Sequence, residues 1–283
     1  MKVSIITIAY NNLEGLKRTY ESIRRQTFRD YEWLVIDGGS TDGTKRFLEE
    51  HDSELAFWCS EPDEGVYNAQ NKGTRHAKGE YCIFMNSGDC FHGPDVIQRL
   101  KDSGVSADII CGNARILEAP PRIKKPFKDI TLKTLYKGAI CHQSAFIKTS
   151  LLREFPYDET LKIVSDKKFF IQALILKGAS YATVDIDIVD YDINGFSSQN
   201  RFASEQEWKT VLWNIIPNRI LEDYGEEQDG RLFHFNDYEN FFAEVGKRKW
   251  RRPIYAIARA ILGLASLVLP SARFSRHFPF KTR

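Results

Sequence analysis

Two patterns of hydrophobic and polar positions alternate over the first 90 residues. Short runs rich in β-branched and aromatic residues, typical of buried strands, cover 3–9, 31–36, 55–59 and 81–85. Between them, apolar residues recur at helical spacing over 13–26, 44–50 and 66–77. Because strands alternate with helices, the pattern predicts an α/β fold with a mostly parallel central sheet flanked by helices.

Polar clusters follow the ends of these predicted strands, at 11–12, 37–43, 61–65 and 86–89. In open α/β sheets, ligands bind beyond the carboxyl ends of the parallel strands. The four clusters are therefore predicted to meet at one edge of the sheet and to form a binding site there.

The second half of the chain repeats these patterns less regularly. Strands are predicted at 107–111, 140–147 and 181–191, and helices at 165–177 and 202–221. Proline and lysine are frequent between 115 and 137, which predicts an exposed excursion. We expect one domain over residues 1–222 and a C-terminal helical extension over 223–283.

The C-terminal extension contains a basic cluster, KRKWRR at 247–252, followed by an apolar segment that ends at 269. A stripe of apolar residues at helical spacing predicts an amphipathic helix in this segment. The segment is shorter than the roughly 20 residues that span a bilayer. Two interpretations stay open: peripheral membrane contact through 247–269, or a helix that packs on the protein or on a partner chain.

Composition narrows the class of protein. The formal net charge of +2 over 283 residues gives no reason to expect a nucleic-acid partner. Five cysteines without a C-x-x-C pair favour buried thiols in a reducing cytosol over disulfides or a zinc site. The short apolar run at the N-terminus predicts a first strand rather than a signal peptide. We expect a cytoplasmic protein that can bind peripherally to the inner face of the cytoplasmic membrane.

Asp37 opens the loop DGGSTDG, which matches neither common phosphate-binding loop. The glycine spacing of a dinucleotide fingerprint is missing, and Thr44 stands where a P-loop requires lysine. A carboxylate at a strand end before a tight glycine turn either contacts a ligand or closes the turn. On this motif alone both interpretations stay open.

Asp89 ends the motif NSGD, directly after an apolar strand. Hard oxygen ligands at such a strand end suit Mg²⁺ or Mn²⁺ bound to a diphosphate, because these ions take one or two carboxylates and complete their shell from phosphates and water. Asp89 is therefore the predicted metal ligand.

Four motifs in order resemble the family 2 glycosyltransferases: VSIITIAYNN, VIDGGSTDGT, EPDEGVYNAQNKG and FMNSGD. The resemblance covers roughly residues 1–200 and is strongest to the branch found in bacterial surface-polysaccharide synthesis. It implies a GT-A fold, a hexosyltransferase-type activity, a nucleotide-sugar donor that is usually UDP-linked, and a divalent metal. It also implies inversion at the anomeric carbon. We expect a glycan or lipid-linked acceptor, because an interfacial helix beside KRKWRR suits an acceptor carried on a membrane lipid.

The resemblance also implies roles for individual residues. Asp89 matches the last acid of the family's metal-binding D-x-D motif, although NSGD has one carboxylate where two are usual. Asn86 and Ser87 can still hydrogen-bond the ribose or the sugar. The positions matched to nucleotide-sugar binding are Thr7, Tyr10, Asp37, Asp63, Asn71, Lys72, Asn86 and Ser87.

A general base is expected on the acceptor side, since the attacking hydroxyl must lose its proton. The segment LKIVSDKKF resembles the family's second acidic motif, with Ser165 in place of a glutamate, and makes Asp166 the candidate base. Alternatively, Ser165 or Asp166 is only a helix N-cap. His142 matches a position near the active site and could contact the acceptor or the diphosphate; the alternative is a satisfied core histidine.

Two other functions stay open beside glycosyl transfer. A sugar nucleotidyltransferase needs a glycine-rich, basic N-terminal loop, and ITIAYNN has neither glycine nor charge. A nucleotide-sugar or glycan-binding module with weakened catalysis would account for the reduced NSGD and S-D motifs.

Overall fold

The structure is a computed structural model that describes residues 1–118, 120–191 and 200–221. Met1–Ile216 forms one compact unit, and a second unit begins at Pro217, of which 217–221 is described. The predicted boundary at 222, the extension over 223–283 and the segment 247–269 lie outside the described residues and stay predictions.

In the described part of the chain, nine strands form one sheet. The strands are β1 (Val3–Ala9), β2 (Tyr31–Asp37), β3 (Phe57–Ser60), β4 (Tyr81–Phe84), β5 (Cys90–Phe91), β6 (Ile109–Ile116), β7 (Arg122–Lys124), β8 (Ala145–Lys148) and β9 (Tyr181–Tyr191). Their order is β3-β2-β1-β4-β8-β6-β9-β5, and β7 pairs with β6.

Helices cover the sheet. They are α1 (Leu13–Arg24), α2 (Thr44–Glu50), α3 (Val66–His76), α4 (Val96–Asp102), α5 (Leu132–Lys137), α6 (Thr149–Glu154), α7 (Ser165–Phe170) and α8 (Arg201–Ile215). Short 3-10 turns lie at Asp52–Glu54 and His142–Ser144, and a π-helical stretch, Ile171–Leu176, continues α7. No helix among the described residues has both the length and the apolar character that a membrane crossing requires.

The two halves of the sheet differ in the relative direction of their strands. β3, β2, β1 and β4 are parallel, as the βαβ pattern predicts. In the other half, β8 runs antiparallel to β4 and β6, and β5 runs antiparallel to β9. The prediction of a mostly parallel sheet is thus corrected to a mixed sheet, because strands paired across long connections need not share a direction.

The parallel half is the centre of the core. Its two middle strands are buried on both faces, so Ile5 and Ile36 are fully inaccessible to solvent. α1 covers one face with Leu16 and Ile23. Asn12 is the N-cap residue of this helix, since its side chain accepts a hydrogen bond from the Gly15 N–H.

The structure corrects several predicted elements. The excursion over 115–137 contains the end of β6, its hairpin partner β7, and α5, which a capping box at Thr131 begins. The predicted strand at 140–147 starts as a 3-10 turn. The predicted helix over 202–221 is interrupted at 216–217, because α8 ends at Ile215 before Pro217 and helical residues resume over 218–221. β5, α4 and α6 were not predicted, because elements of two to seven residues carry little periodic signal.

Candidate active site

Four polar loops meet at the carboxyl edge of β1, β2, β3 and β4, and we refer to residues 10–12, 37–43, 61–65 and 86–89 as the loop cluster. The backbone N–H of Asn11 donates to Ser40 Oγ at 2.7 Å. Asn12 Nδ2 donates to the Ser87 carbonyl at 2.9 Å, and Ser87 Oγ donates to the Asn12 carbonyl at the same distance. These bonds join three loops into one surface.

Asp37 is fully buried at the end of β2. Its carboxylate accepts hydrogen bonds from the backbone N–H and Oγ of Ser40, at 3.1 and 2.5 Å, and from Ser60 Oγ at 2.6 Å. Gly39 follows with φ of 81°, a conformation that favours glycine. Asp37 therefore closes the turn in the described structure, and its contact with a nucleotide stays a prediction.

Lys72 and Asp63 form an ion pair beside this turn. Lys72 Nζ lies 2.8 Å from Asp63 Oδ1 and 2.7 Å from Glu61 Oε1. Hydrogen bonds to these two carboxylates raise the pKa of Lys72, so it is a cation at neutral pH. Tyr10 lies next to Gly38, and its side chain is exposed at the surface of the loop cluster. An exposed ring and an amine held by carboxylates are groups that can contact a nucleotide.

Thr7 and Asn71 are buried predicted nucleotide-binding residues, as Asp37 is. Thr7 is fully buried, and its hydroxyl accepts a hydrogen bond from Trp33 Nε1 at 2.9 Å. Asn71 Nδ2 donates to the Tyr157 carbonyl and to Glu159, and Asn71 Oδ1 accepts from the Tyr157 N–H. Both side chains thus have protein partners, and nucleotide contacts from them stay predictions.

The NSGD turn is held by its own backbone and by Thr19 of α1. Asp89 Oδ2 accepts from the Asn86 N–H at 3.2 Å, and the Asp89 N–H donates to the Asn86 carbonyl at 2.8 Å. Thr19 Oγ1 donates to the Asp89 carbonyl at 2.8 Å and accepts from the Gly88 N–H at 2.9 Å. Sequence reasoning missed Thr19, because a threonine on a helix gives no local sign of such a distant partner.

Oxygen donors at this turn fit a small divalent cation. Asp89 is 8% exposed, and the amide oxygen of Asn86 is buried without a hydrogen-bond partner among the described residues. Within the described ranges, no group of three or more His, Cys, Asp and Glu side chains is placed to hold a metal. A carboxylate and an amide oxygen would therefore leave the remaining ligand positions to phosphate and water, as Mg²⁺ accepts.

Gly88 is the middle position of the D-x-D match, between Ser87, which stands where the first acid is usual, and Asp89. Its φ is 107°, a region that side-chain-bearing residues rarely adopt. A Cβ placed there would have space, since its nearest neighbours, Asn12 Nδ2 and Arg18 Nη2, would be 3.6 and 3.7 Å away. Backbone conformation rather than crowding therefore disfavours a carboxylate at this position.

Asp166 lies in the first turn of α7 with both carboxylate oxygens in contact with other side chains. Oδ2 lies 3.3 Å from His142 Nδ1, and Oδ1 lies 3.2 Å from the hydroxyl of Tyr67. The N-cap residue of α7 is Val164, and Ser165 Oγ accepts from the Asp158 N–H. The alternative that Ser165 or Asp166 serves as the N-cap is therefore wrong.

The electrostatic surroundings keep Asp166 ionised. Burial acts to raise the pKa of this carboxyl, but the hydrogen bond and charge of His142, with Lys167, outweigh burial and lower it overall. Burial and the charge of Asp166 raise the pKa of Tyr67, which stays a neutral phenol at neutral pH. Asp166 is thus a carboxylate that can accept a proton, and Tyr67 is a hydrogen-bond donor.

His142 connects Asp166 with the end of β4. Its ring lies edge-on to Phe84, with centroids 6.3 Å apart, and Phe84 is the last residue of the strand that leads into NSGD. Its Nε2 is buried and has no hydrogen-bond partner in the part of the chain that the structure describes. A histidine with only one nitrogen bonded differs from a fully satisfied core histidine.

Comparisons with known proteins identify the family of the chain. The family model described as Glycosyl transferase family 2 matches residues 4–154. The chain is 34% identical over 258 residues to the uncharacterized glycosyltransferase Rv1514c of Mycobacterium tuberculosis, covering 87% of this chain and 98% of that protein. It is 24% identical over 232 residues to the Escherichia coli UDP-Glc:alpha-D-GlcNAc-diphosphoundecaprenol beta-1,3-glucosyltransferase WfgD, covering 78% of this chain and 89% of WfgD.

A solved structure has the same fold. Staphylococcus aureus TarS 1–349 in complex with UDP superposes with a TM-score of 0.63 at 18% identity, over 90% of this chain and 78% of the TarS chain. At this level of identity the similarity concerns the fold. It confirms the expected GT-A architecture, with the mixed sheet described above.

Proposed function

The chain belongs to glycosyl transferase family 2, and from this premise we propose that it transfers a hexose from a UDP-sugar to a lipid-linked glycan with inversion at the anomeric carbon. The observation that carries the proposal is the ionised Asp166, held by His142 and Tyr67 next to the strand that ends in NSGD. WfgD, a relative, is a UDP-Glc-dependent enzyme with a diphosphoundecaprenol-linked acceptor, and this supports the choice of donor and acceptor class.

Asp166 is the proposed general base. The acceptor hydroxyl oxygen forms a bond to the anomeric carbon while its proton passes to the Asp166 carboxylate. The bond from the anomeric carbon to the diphosphate oxygen breaks, and its electron pair leaves with the nucleoside diphosphate. His142 and Tyr67 fix the carboxylate, so that little reorganisation is needed during transfer.

The loop cluster is the proposed donor site. Tyr10, Asp63 and Lys72 contact the nucleotide, Asn86 and Ser87 hydrogen-bond the ribose or sugar, and Asp89 with Asn86 holds Mg²⁺ or Mn²⁺. Such a cation, when bound, stabilises the negative charge that develops on the departing diphosphate. The Thr19 hydroxyl keeps the NSGD turn in its conformation for this role.

Membrane contact through 247–269 is part of the proposal, although the segment lies outside the described residues. The basic cluster suits anionic headgroups, and a lipid-linked acceptor would be presented at such a surface. Flotation with anionic liposomes should recover the full chain but not a chain truncated before Lys247. Equal flotation of both would contradict the membrane role and leave the catalytic proposal unaffected.

A two-stage experiment tests the catalytic proposal. UDP- and GDP-sugars are first screened by thermal shift with and without Mn²⁺, because a ligand that binds the native state raises its stability. Stabilising donors are then incubated with GlcNAc-diphospholipid acceptors, and the anomeric configuration of the product is read by NMR. Retention of configuration would refute inversion, and donor binding without transfer or hydrolysis would favour the binding-module alternative.

A further inference from the structure

Glu207 on α8 binds three consecutive backbone N–H groups of another segment. Its Oε1 accepts from Lys162 at 2.7 Å, and its Oε2 accepts from Ile163 and Val164 at 2.8 and 3.0 Å. Glu207 lies beyond the residues that the family model matches, which end at 154. The contact between Glu207 and residues 162–164 therefore lies entirely outside the region that the family model matches.

The three bound N–H groups belong to the turn that leads into α7. Val164 is the N-cap residue of α7 and supplies no side-chain hydrogen bond to the helix. The Val164 N–H is one of the first N–H groups of the helix, which have no partners within it, and a carboxylate is a favourable partner for such a group. The N–H groups of Lys162 and Ile163 belong to the turn before the helix. Glu207 thus binds, from a helix distant in the sequence, the backbone two to four residues before Asp166.

The same turn is held from its opposite side. The single hydroxyl hydrogen of Tyr67 is shared between Asp166 Oδ1, at 3.2 Å, and the Ile163 carbonyl, at 2.6 Å. The N–H of Ile163 is therefore bound by α8 and its carbonyl by α3. Next to Glu207, Trp208 is buried and lies under Lys167 Nζ, which is 5.3 Å from the ring centroid. Contacts on both sides of Asp166 therefore connect α7 to α8.

We propose that Glu207 is a positioning residue that sets the place of the Asp166 carboxylate; this inference rests on the proposed function. Charge-assisted hydrogen bonds are roughly twice as strong as neutral ones, so the glutamate holds the turn better than an amide would. A displacement of about 1 Å in a reacting group can cost on the order of 10²-fold in rate. Glu207 touches no residue of the loop cluster in the described contacts, so donor binding does not depend on it.

The test compares Glu207→Gln and Glu207→Ala with Glu205→Gln, an exposed glutamate on the same helix. We expect kcat to fall about tenfold in Glu207→Gln and about 10²-fold in Glu207→Ala, while Glu205→Gln stays at the wild-type value. The KM and the calorimetric Kd for the donor should stay within about twofold in all three. Unchanged kcat in both Glu207 variants would overturn the inference. A loss of donor affinity as large as the loss of kcat would overturn it as well.

A double-mutant cycle separates positioning from general damage. Combined with Asp166→Asn, Glu207→Ala should cause almost no further loss of kcat. Asparagine at 166 cannot accept the proton, so its displacement no longer affects the rate of proton transfer. A full additional 10²-fold loss would mean that Glu207 acts independently of Asp166. If Glu207→Ala does not fold, the same cycle with Glu207→Gln tests whether Glu207 acts through Asp166.

The cycle also distinguishes the two proposals. An Asp166→Asn enzyme with full activity would refute the base assignment and the inference together. An inactive Asp166→Asn enzyme beside a fully active Glu207→Ala enzyme would refute the inference alone.

Discussion

Asp166→Asn should lower kcat by 10²–10⁴-fold while the donor still binds. General base catalysis contributes about this factor, which corresponds to roughly 3–5 kcal/mol of transition-state stabilisation. Asparagine has the shape of aspartate, and its Oδ1 can still accept from Tyr67. Its Nδ2 can donate to His142 Nδ1 in the other ring tautomer, so the local structure is retained.

Folding stability should change little in this variant. The substitution removes a charge-assisted hydrogen bond to His142 and also removes the cost of burying the charge. These effects oppose each other, and we expect a net change within about 1 kcal/mol, or a shift in Tm of about 2–4 °C. Asp102→Asn, an exposed aspartate on α4, is the matched control.

Initial rates of nucleoside-diphosphate release in the presence of acceptor measure kcat, and calorimetry measures donor Kd. A kcat within threefold of wild type would show that Asp166 is not the base, and a lost donor affinity would place it in the donor site instead. The pKa of Asp166 is lowered, so its ionised form persists across neutral pH. Its stability contribution is present above the unfolded pKa of about 3.9 and is lost as pH falls through the folded pKa.

Three further predictions concern stability. Gly88→Ala should cost about 1–3 kcal/mol, because φ of 107° strains a residue with a Cβ; an unchanged urea midpoint would contradict this. Asn71→Ala should cost about 1–3 kcal/mol, since the Tyr157 N–H loses its acceptor, and a thermal melt within 2 °C of wild type would count against it. Hydrogen bonds from Ser180 and Lys148 lower the pKa of Asp108 to about 2. The Tm deficit of Asp108→Asn should therefore be largest above pH 4 and narrow towards pH 2, and a deficit independent of pH would refute this.

The parallel half of the sheet follows from local pattern. β1, β2 and β4 are apolar runs broken by polar clusters, and both features are visible within about ten residues. Since parallel strands share a carboxyl edge, the meeting of the four loops follows from their order alone. β8 and β5 could not be placed in this way, because their direction depends on pairing with strands far along the chain.

The family, the strand-end loops and the candidate residues Asp89 and Asp166 can be predicted from the sequence, because motifs and periodicity depend on neighbouring positions. The partners that hold Asp166 are visible in the fold alone. Tyr67 is 99 positions from Asp166, and Glu207 reaches the turn at 162–164 from another helix. Such partners are brought together by the packing of α3 on β1 and β2 and of α8 on α7. Contacts between residues so far apart along the chain produce no periodic pattern in a single sequence.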